Sequence, residues 1–253
     1  MNIMQVVSVA VFVLVMAAIV SEKVHRTVAA VAGGVVLVCL RVLSVDQAVG
    51  YIDFNTIGVL IGMMLFVAVV RNSGLFEYVA IKAAKIAHGN PWRIMLLFTL
   101  LTAVLSAFLD NVTTVLLVGP MAIAITGILG IDPVPFLLAQ ILASNIGGTA
   151  TLIGDPPNIM IGSQAGLGFV DFVVNTGSAV VIILTVVCVC FYLMWGKKMA
   201  VAQEKMQAVM QLDEKRSITD RGLMIKSVVM IGVVVLGFTF HGSLGVDSCI
   251  IAL

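Results

Sequence analysis

Ala143-Ser-Asn-Ile-Gly-Gly-Thr-Ala-Thr-Leu-Ile-Gly-Asp-Pro-Pro-Asn-Ile159 breaks an otherwise apolar run with Asn145, the Gly147–Gly148 pair, Thr149, Thr151, Asp155 and Asn158. Paired glycines favour unwinding. Asp155 followed by Pro156 and Pro157 reads as a helix start, with a carboxylate cap and then proline in the first turn, where a missing N–H is harmless. The run therefore splits into a half-helix to about Ile146, an unwound stretch, and a second half-helix from Pro156. Carbonyls of an unwound stretch, with Asn145, Thr149 and Thr151, can coordinate a cation, as in the broken helices of secondary transporters. The plainer alternative makes Asp155 a structural cap only.

A second interruption lies upstream, Leu105-Ser-Ala-Phe-Leu-Asp-Asn-Val-Thr-Thr-Val-Leu-Leu117. A carboxylate at the centre of a membrane helix costs about 2.5–3.5 kcal/mol on insertion scales. Asp110 is tolerable only beside protein or water. Asp110 and Asn111 are also good N-caps for a helix from Val112. A helix that begins inside the membrane presents unpaired amides and a positive dipole end, suited to an anion or a polar solute. The competing reading is a surface turn between two complete spans. Asn111-Val112-Thr113 is a glycosylation sequon, expected to be silent at this depth. The polar residues of both interruptions are the candidate binding set for substrate or ion: Ser106, Asp110, Asn111, Thr113, Thr114, Asn145, Gly147, Gly148, Thr149, Thr151, Gly154, Asp155 and Asn158. Within it, Asn111, Asn145, Gly147, Gly148 and Thr149 are the candidate sodium ligands.

The composition demands a membrane. Hydrophobic residues make up 61% of the 253, charged residues 11%, and mean hydropathy is +1.17. Soluble domains hold about 45–50% apolar and roughly 25% charged residues. A net charge of +1 leaves no basic footprint for nucleic acid. Cys39, Cys188, Cys190 and Cys249 sit in apolar runs without zinc spacing and read as buried, inert thiols.

Apolar runs mark spans at Ile3–Val20, Thr27–Leu43, Asn55–Asn72, Arg93–Leu109, Val112–Leu129, Pro133–Gly147, Pro156–Ala165, Phe172–Trp195 and Leu223–Phe240. Ile3–Val20 lacks a basic leader and a cleavage site, so it reads as a retained span. With the N-terminus outside, all of the 14 basic residues except Arg41 face the cytoplasm. Arg93–Leu129 must then enter and leave on the cytoplasmic side. Gly74–Gly89 carries Leu75, Phe76, Val79, Ala83 and Ile86 at helical spacing and reads as a helix in the cytoplasmic interface, with Trp92 as a headgroup-level anchor. Lys197–Lys226 reads as a cytoplasmic connector, either helical or a solvated loop. A faint echo between Gln5–Gly33 and Ile225–Leu253 suggests an internal repeat, of which the second copy has only begun at Leu253.

The expected organisation is scaffold spans and interfacial helix over 1–92 and a transport region over 93–165, divided into a hairpin 93–129 and a broken helix 133–165. A closing span over 166–196, the connector 197–226 and a truncated second repeat over 227–253 follow. Enzyme chemistry is not expected. No Lys-Ser/Thr follows Gly148–Gly154, as a phosphate loop requires, and His25, His88 and His241 all sit at span ends.

Ser106-Ala-Phe-Leu-Asp-Asn-Val-Thr-Thr114 and Ser144-Asn-Ile-Gly-Gly-Thr-Ala-Thr-Leu-Ile-Gly-Asp-Pro-Pro-Asn158 resemble the P-protein branch of the ArsB/NhaD permeases, within the ion transporter superfamily that also holds the citrate transporter-like carriers. The resemblance covers roughly Val24 to Trp195. It implies an all-α polytopic membrane protein, the first half of an inverted-repeat ion-transporter fold with a re-entrant hairpin and a broken helix. It further implies a homodimer in the lipid bilayer, at the inner (plasma) membrane of a prokaryote, and elevator-like alternating access. Dicarboxylate carriers of the superfamily carry Ser-Asn-Thr at the hairpin tip, where this chain has Asp110-Asn111-Val112-Thr113; the extra carboxylate repels a dicarboxylate unless a cation neutralises it. The expected function is secondary transport of an inorganic or small organic anion, coupled to sodium or protons, without a further cofactor. Sodium/proton antiport through Asp110 and Asp155 is the alternative. A non-transporting N-terminal fragment, which inserts alone or pairs with a separate second half, is the reading of a different class.

Overall fold

The computed structural model describes residues 3–253, without the side chains of residues 241–244, so the placement of His241 lies outside the described residues. The chain divides into two compact units, Met1–Phe54 and Asn55–Leu253. Helices and turns account for the structured parts of both, with no strand among the described residues.

In the first unit, α1 (Ile3–Val20) packs on α2 (Arg26–Cys39), and α3 (Val45–Gly50) follows. The α1–α2 contact closes around Gly33, where a Cβ would stand 2.4 Å from the Val15 side chain. α3 starts with a reciprocal capping box: Ser44 Oγ accepts from Gln47 N–H at 3.1 Å and Gln47 Oε1 accepts from Ser44 N–H at 3.0 Å.

The second unit opens with α4 (Phe54–Asn72), α5 (Leu75–Ile86), α6 (Pro91–Ser106), α7 (Asn111–Leu129), α8 (Val134–Gly148), α9 (Pro156–Ala165) and α10 (Phe169–Phe191). A π-helical turn, Tyr192–Gly196, prolongs α10. Next come α11 (Gln203–Met210), a 3-10 turn at Glu214–Ser217, α12 (Arg221–Leu244) and α13 (Ser248–Ala252). The core lies among α6, α7 and α8, with Ile94, Phe98, Val118, Ile125 and Phe136 sealed between them.

Five helical segments are long and apolar enough to cross a bilayer: Ile3–Val20, Phe54–Asn72, Asn111–Leu129, Phe169–Gly196 and Arg221–Phe240. Most of their large apolar side chains stay exposed. In water that surface would be untenable; in lipid it is what a span requires. The chain is an integral, multi-pass membrane protein.

α6 and α7 form a hairpin whose two ends share one layer. At the start of α6, Trp92 packs on Tyr192 with ring centroids 5.0 Å apart. At the end of α7, the Lys205 side chain from α11 lies over Gly130, whose φ of +67° sets the left-handed helix end. α6 has 16 residues, about 24 Å at 1.5 Å per residue, short of the roughly 30 Å hydrocarbon core. α8 rises beside α6, the chain unwinds over residues 149–155, and α9 carries it about 15 Å further with 10 residues. Returning in α10, the chain meets the break again at Thr176, about 10 Å from that helix's first residue. The hairpin tip and the break therefore meet at one level, where the Ser106 hydroxyl donates to the Ser144 carbonyl and the Thr151 hydroxyl to the Ala107 carbonyl.

Two expectations need correction. The buried face of α5 is Phe76, Ala80, Ala84 and the following Ala87, with Ile81, while Ile86 is exposed. The reason is that α5 packs against protein on that face. The connector folds over it: Lys85 Nζ sits 2.6 Å from Glu214 Oε2 and 3.2 Å from the Leu212 carbonyl, and Thr219 N–H donates to the Ser73 carbonyl at 3.2 Å. The hydrogen bond from Lys85 holds the Glu214 carboxyl below its usual range. The connector is thus a docked element, with Val209 fully buried. The cysteines are the second correction. All four are free and none is buried; Cys39 and Cys190 are exposed. An apolar run in a membrane helix faces lipid as readily as protein.

The charge bias makes a direct expectation about sidedness. In a cysteine-free background, Lys205→Cys should react with an impermeant thiol reagent from the cytoplasmic side only. Labelling from the outside alone overturns the orientation.

Candidate functional site

The site is built where the hairpin tip meets the break in α8–α9. Asp110 occupies the N-cap of α7, and its Oδ1 accepts the Thr113 N–H at 2.9 Å. The Thr114 hydroxyl donates to the Asp110 carbonyl at 2.9 Å, closing the same turn. Asp155 holds the equivalent position before α9, but no N–H of that helix reaches its carboxylate. The expected cap fails for a simple reason. A cap accepts from the second or third residue of the helix. Pro157 has no N–H, and the Asn158 N–H donates to the Asp155 backbone carbonyl at 3.0 Å. The Asp155 carboxylate is left to face outward.

It faces the same cavity as Asp110. Asp110, Asn111, Val112, Ile153, Asp155 and Ile159 share a pocket of about 250 Å³ with the α4 residues Val59, Leu60, Met63 and Met64. One wall carries both carboxylates and an amide, and the rest is apolar. On the other side of the tip, Asn145 and Thr149 line a second cavity of about 380 Å³ with Asn175, Thr176 and apolar residues of α10. The two cavities are joined by one contact: Asn111 Nδ2 donates to Asn145 Oδ1 at 3.0 Å.

The other candidate residues brace this arrangement. Ser106 is buried and donates to the Ser144 carbonyl at 2.6 Å. The Thr151 hydroxyl donates to the Ala107 carbonyl and accepts the Gly154 N–H at 3.2 Å. Asn158 Nδ2 reaches the Gly148 and Thr151 carbonyls at 3.1 and 2.9 Å, which pins the unwound stretch to the start of α9. Thr113 contributes its backbone N–H.

Gly147 and Gly148 differ from expectation. Both are helical, and α8 ends two residues later than the sequence suggests. Their role is close approach: a Cβ on Gly147 would stand 2.1 Å from the Ala103 carbonyl oxygen. The Gly147 carbonyl accepts from Ala150 N–H at 3.0 Å, and that of Gly148 accepts from Asn158, so protein donors already use the oxygens expected to meet a cation. Of the expected sodium ligands, Asn111, Asn145 and Thr149 face the cavities. Asn175 and Thr176 are polar residues of the site that the motif reading missed. Their signal was a polar pair in the apolar run of α10, and the Thr176 hydroxyl lies 3.0 Å from the Thr149 carbonyl.

Comparison with known proteins finds membrane proteins and transporters. A "46 kDa membrane protein" of Mycobacterium leprae is 42% identical over 243 residues, covering 94% of this chain and 56% of its own length. An uncharacterised transporter of Mycobacterium tuberculosis is 42% identical over 255 residues, covering 99% of this chain and 59% of its own length. The human P protein is 42% identical over 199 residues, 73% of this chain and 23% of its own. The chain thus spans somewhat over half the length of the bacterial relatives. These names are those of transporters and membrane proteins, not of enzymes. The sequence pattern described as citrate transporter matches residues 16–253, nearly the whole chain. With that match and these relatives, the chain belongs to the citrate transporter family.

Proposed function

We propose that the complete protein is a secondary active permease that moves a small inorganic or organic anion together with a cation, sodium in the first instance. The observation that carries this reading is the shared pocket of Asp110, Asn111 and Asp155, placed where α7 and α9 begin. Two carboxylates on one wall repel an anion and attract a cation. Each stands at the start of a helix, α7 and α9. Sodium held by Asp110, Asp155 and Asn111 would offset one of their two negative charges, and the amides and hydroxyls of Asn145, Thr149, Asn175 and Thr176 offer an uncharged polar surface for the rest of the solute. The relationship to P protein supports placement in the P-protein branch of the ArsB/NhaD permeases. Homodimer formation and an elevator-like displacement of residues 93–165 complete the proposal by resemblance.

The test is flux of radiolabelled citrate in proteoliposomes, with sodium and pH varied independently. Uptake should require sodium. Uptake indifferent to sodium but lost when the proton gradient is dissipated rejects sodium coupling and assigns proton carriage to the carboxylates. Sodium-driven proton movement without anion uptake favours the antiporter.

A further inference from the structure

Below the site, three polar atoms are buried without a protein partner: Thr102 Oγ1, and Gln140 Nε2 and Oε1. The two residues are 0% and 1% exposed. They occupy the same stretch of the α6–α8 seam. Above them, Ser106 meets the Ser144 carbonyl, and the Ala103 backbone abuts Gly147. Below them, Thr99 and Ala139 line one small cavity. α7 closes the third side, because Gln140 Oε1 lies 3.9 Å from where a Cβ on Gly119 would stand. The next residue, Pro120, has no N–H, so the Leu116 carbonyl lacks its α-helical donor.

Neighbouring hydroxyls settle on their own helices: Thr99 donates to the Met95 carbonyl at 2.7 Å and Ser144 to the Ile141 carbonyl at 2.9 Å. Thr102 does not. A primary amide offers two donors and an acceptor oxygen with two lone pairs. Leaving all of them unmade inside a membrane bundle is strongly unfavourable, and buried polar groups without a protein partner are typically bridged by an ordered water making about three hydrogen bonds. We propose that the α6–α7–α8 junction binds one ordered water, held between the Thr102 hydroxyl and the Gln140 amide. It ties α6 to α8, the helices that lead into the hairpin tip and the break. This inference is independent of the transported solute.

Thermal unfolding of the purified protein in detergent, for Thr102→Val, Gln140→Leu and the double variant, tests it. Thr102→Val keeps the shape and removes the hydroxyl, and Gln140→Leu removes the amide with a side chain one heavy atom smaller. Each single change should lower the midpoint by about 2–4 °C, the shift for roughly 1 kcal/mol in a protein of this size. The double variant should fall no further than the worse single one, since the same water is lost once. A raised midpoint for Gln140→Leu, or additive losses, overturns the proposal. If Gln140→Leu does not fold, Gln140→Met, an unbranched side chain of similar length without the amide, takes its place in the cycle with Thr102→Val: the double variant should again fall no further than the worse single one, and additive losses or a raised midpoint for Gln140→Met overturn the water.

Discussion

Asp110→Asn should reduce transport by the complete protein on the order of 100-fold while leaving insertion and folding intact. Asparagine caps a helix as well as aspartate does, so the contact to Thr113 N–H survives. What disappears is one negative charge on the wall of the Asp110–Asp155 pocket. A hydrogen bond or close contact to a charged group contributes about 1.5–3 kcal/mol, or roughly 10- to 100-fold. Asp110→Ala should abolish transport too, but it also removes the cap, worth about 1 kcal/mol. The pair of variants separates charge from capping, read as solute flux beside the unfolding midpoint. Full transport by Asp110→Asn would place the carboxylate outside the machinery.

A large effect on stability is expected at Gly147. An added Cβ would lie 2.1 Å from the Ala103 carbonyl oxygen and 2.6 Å from its Cα, both backbone atoms of a neighbouring helix. No rotamer change relieves that contact; α6 and α8 must separate. Overpacking in a closed core costs typically 1–3 kcal/mol. Gly147→Ala should reach the top of that range and lower the midpoint by about 6–12 °C. Gly127→Ala in α7 is the control, since nothing stands within 4 Å of its added Cβ. It should be neutral or slightly stabilising, because alanine is the better helix former. Equal effects at the two positions would mean that α6 and α8 are not in backbone contact.

Some of this architecture is legible in the sequence because a bilayer imposes a simple code. The bounds of α1 and α9 coincide with the apolar run Ile3–Val20 and with the Asp-Pro-Pro start at Pro156. The break between α8 and α9 was readable for the same reason: few forces other than a built site keep Asp, Asn and Thr together in such a run. Other features depend on distant contacts that local pattern does not encode. The glycines at 147 and 148 can unwind a helix or let two helices touch, and only the position of Ala103 decides. The outward carboxylate of Asp155 follows from Pro157, which has no N–H to give, and from the Asn158 N–H, which bonds the Asp155 backbone carbonyl; the preference for aspartate at a cap pointed the other way. The buried face of α5 depends on a connector more than a hundred residues away in sequence, through Lys85 and Glu214. Asn175 and Thr176 escaped notice because a pair of polar residues in a long span has no signature until Thr149 is seen beside it.

The central claim is that the hairpin tip and the break enclose a water-filled ion site within the membrane, and accessibility of position 112 tests it most directly. Val112 is exposed on the wall of the Asp110–Asp155 pocket and makes no polar contact that a cysteine would disturb. In a cysteine-free background, Val112→Cys should react with a small, charged, membrane-impermeant thiol reagent, and sodium at constant ionic strength should slow the reaction. Val104, equally exposed on the side of α6, provides the lipid-facing control, and its cysteine should stay unreactive. Failure of Val112→Cys to react, or a rate that sodium does not change, would contradict a solvated cation site at the tip.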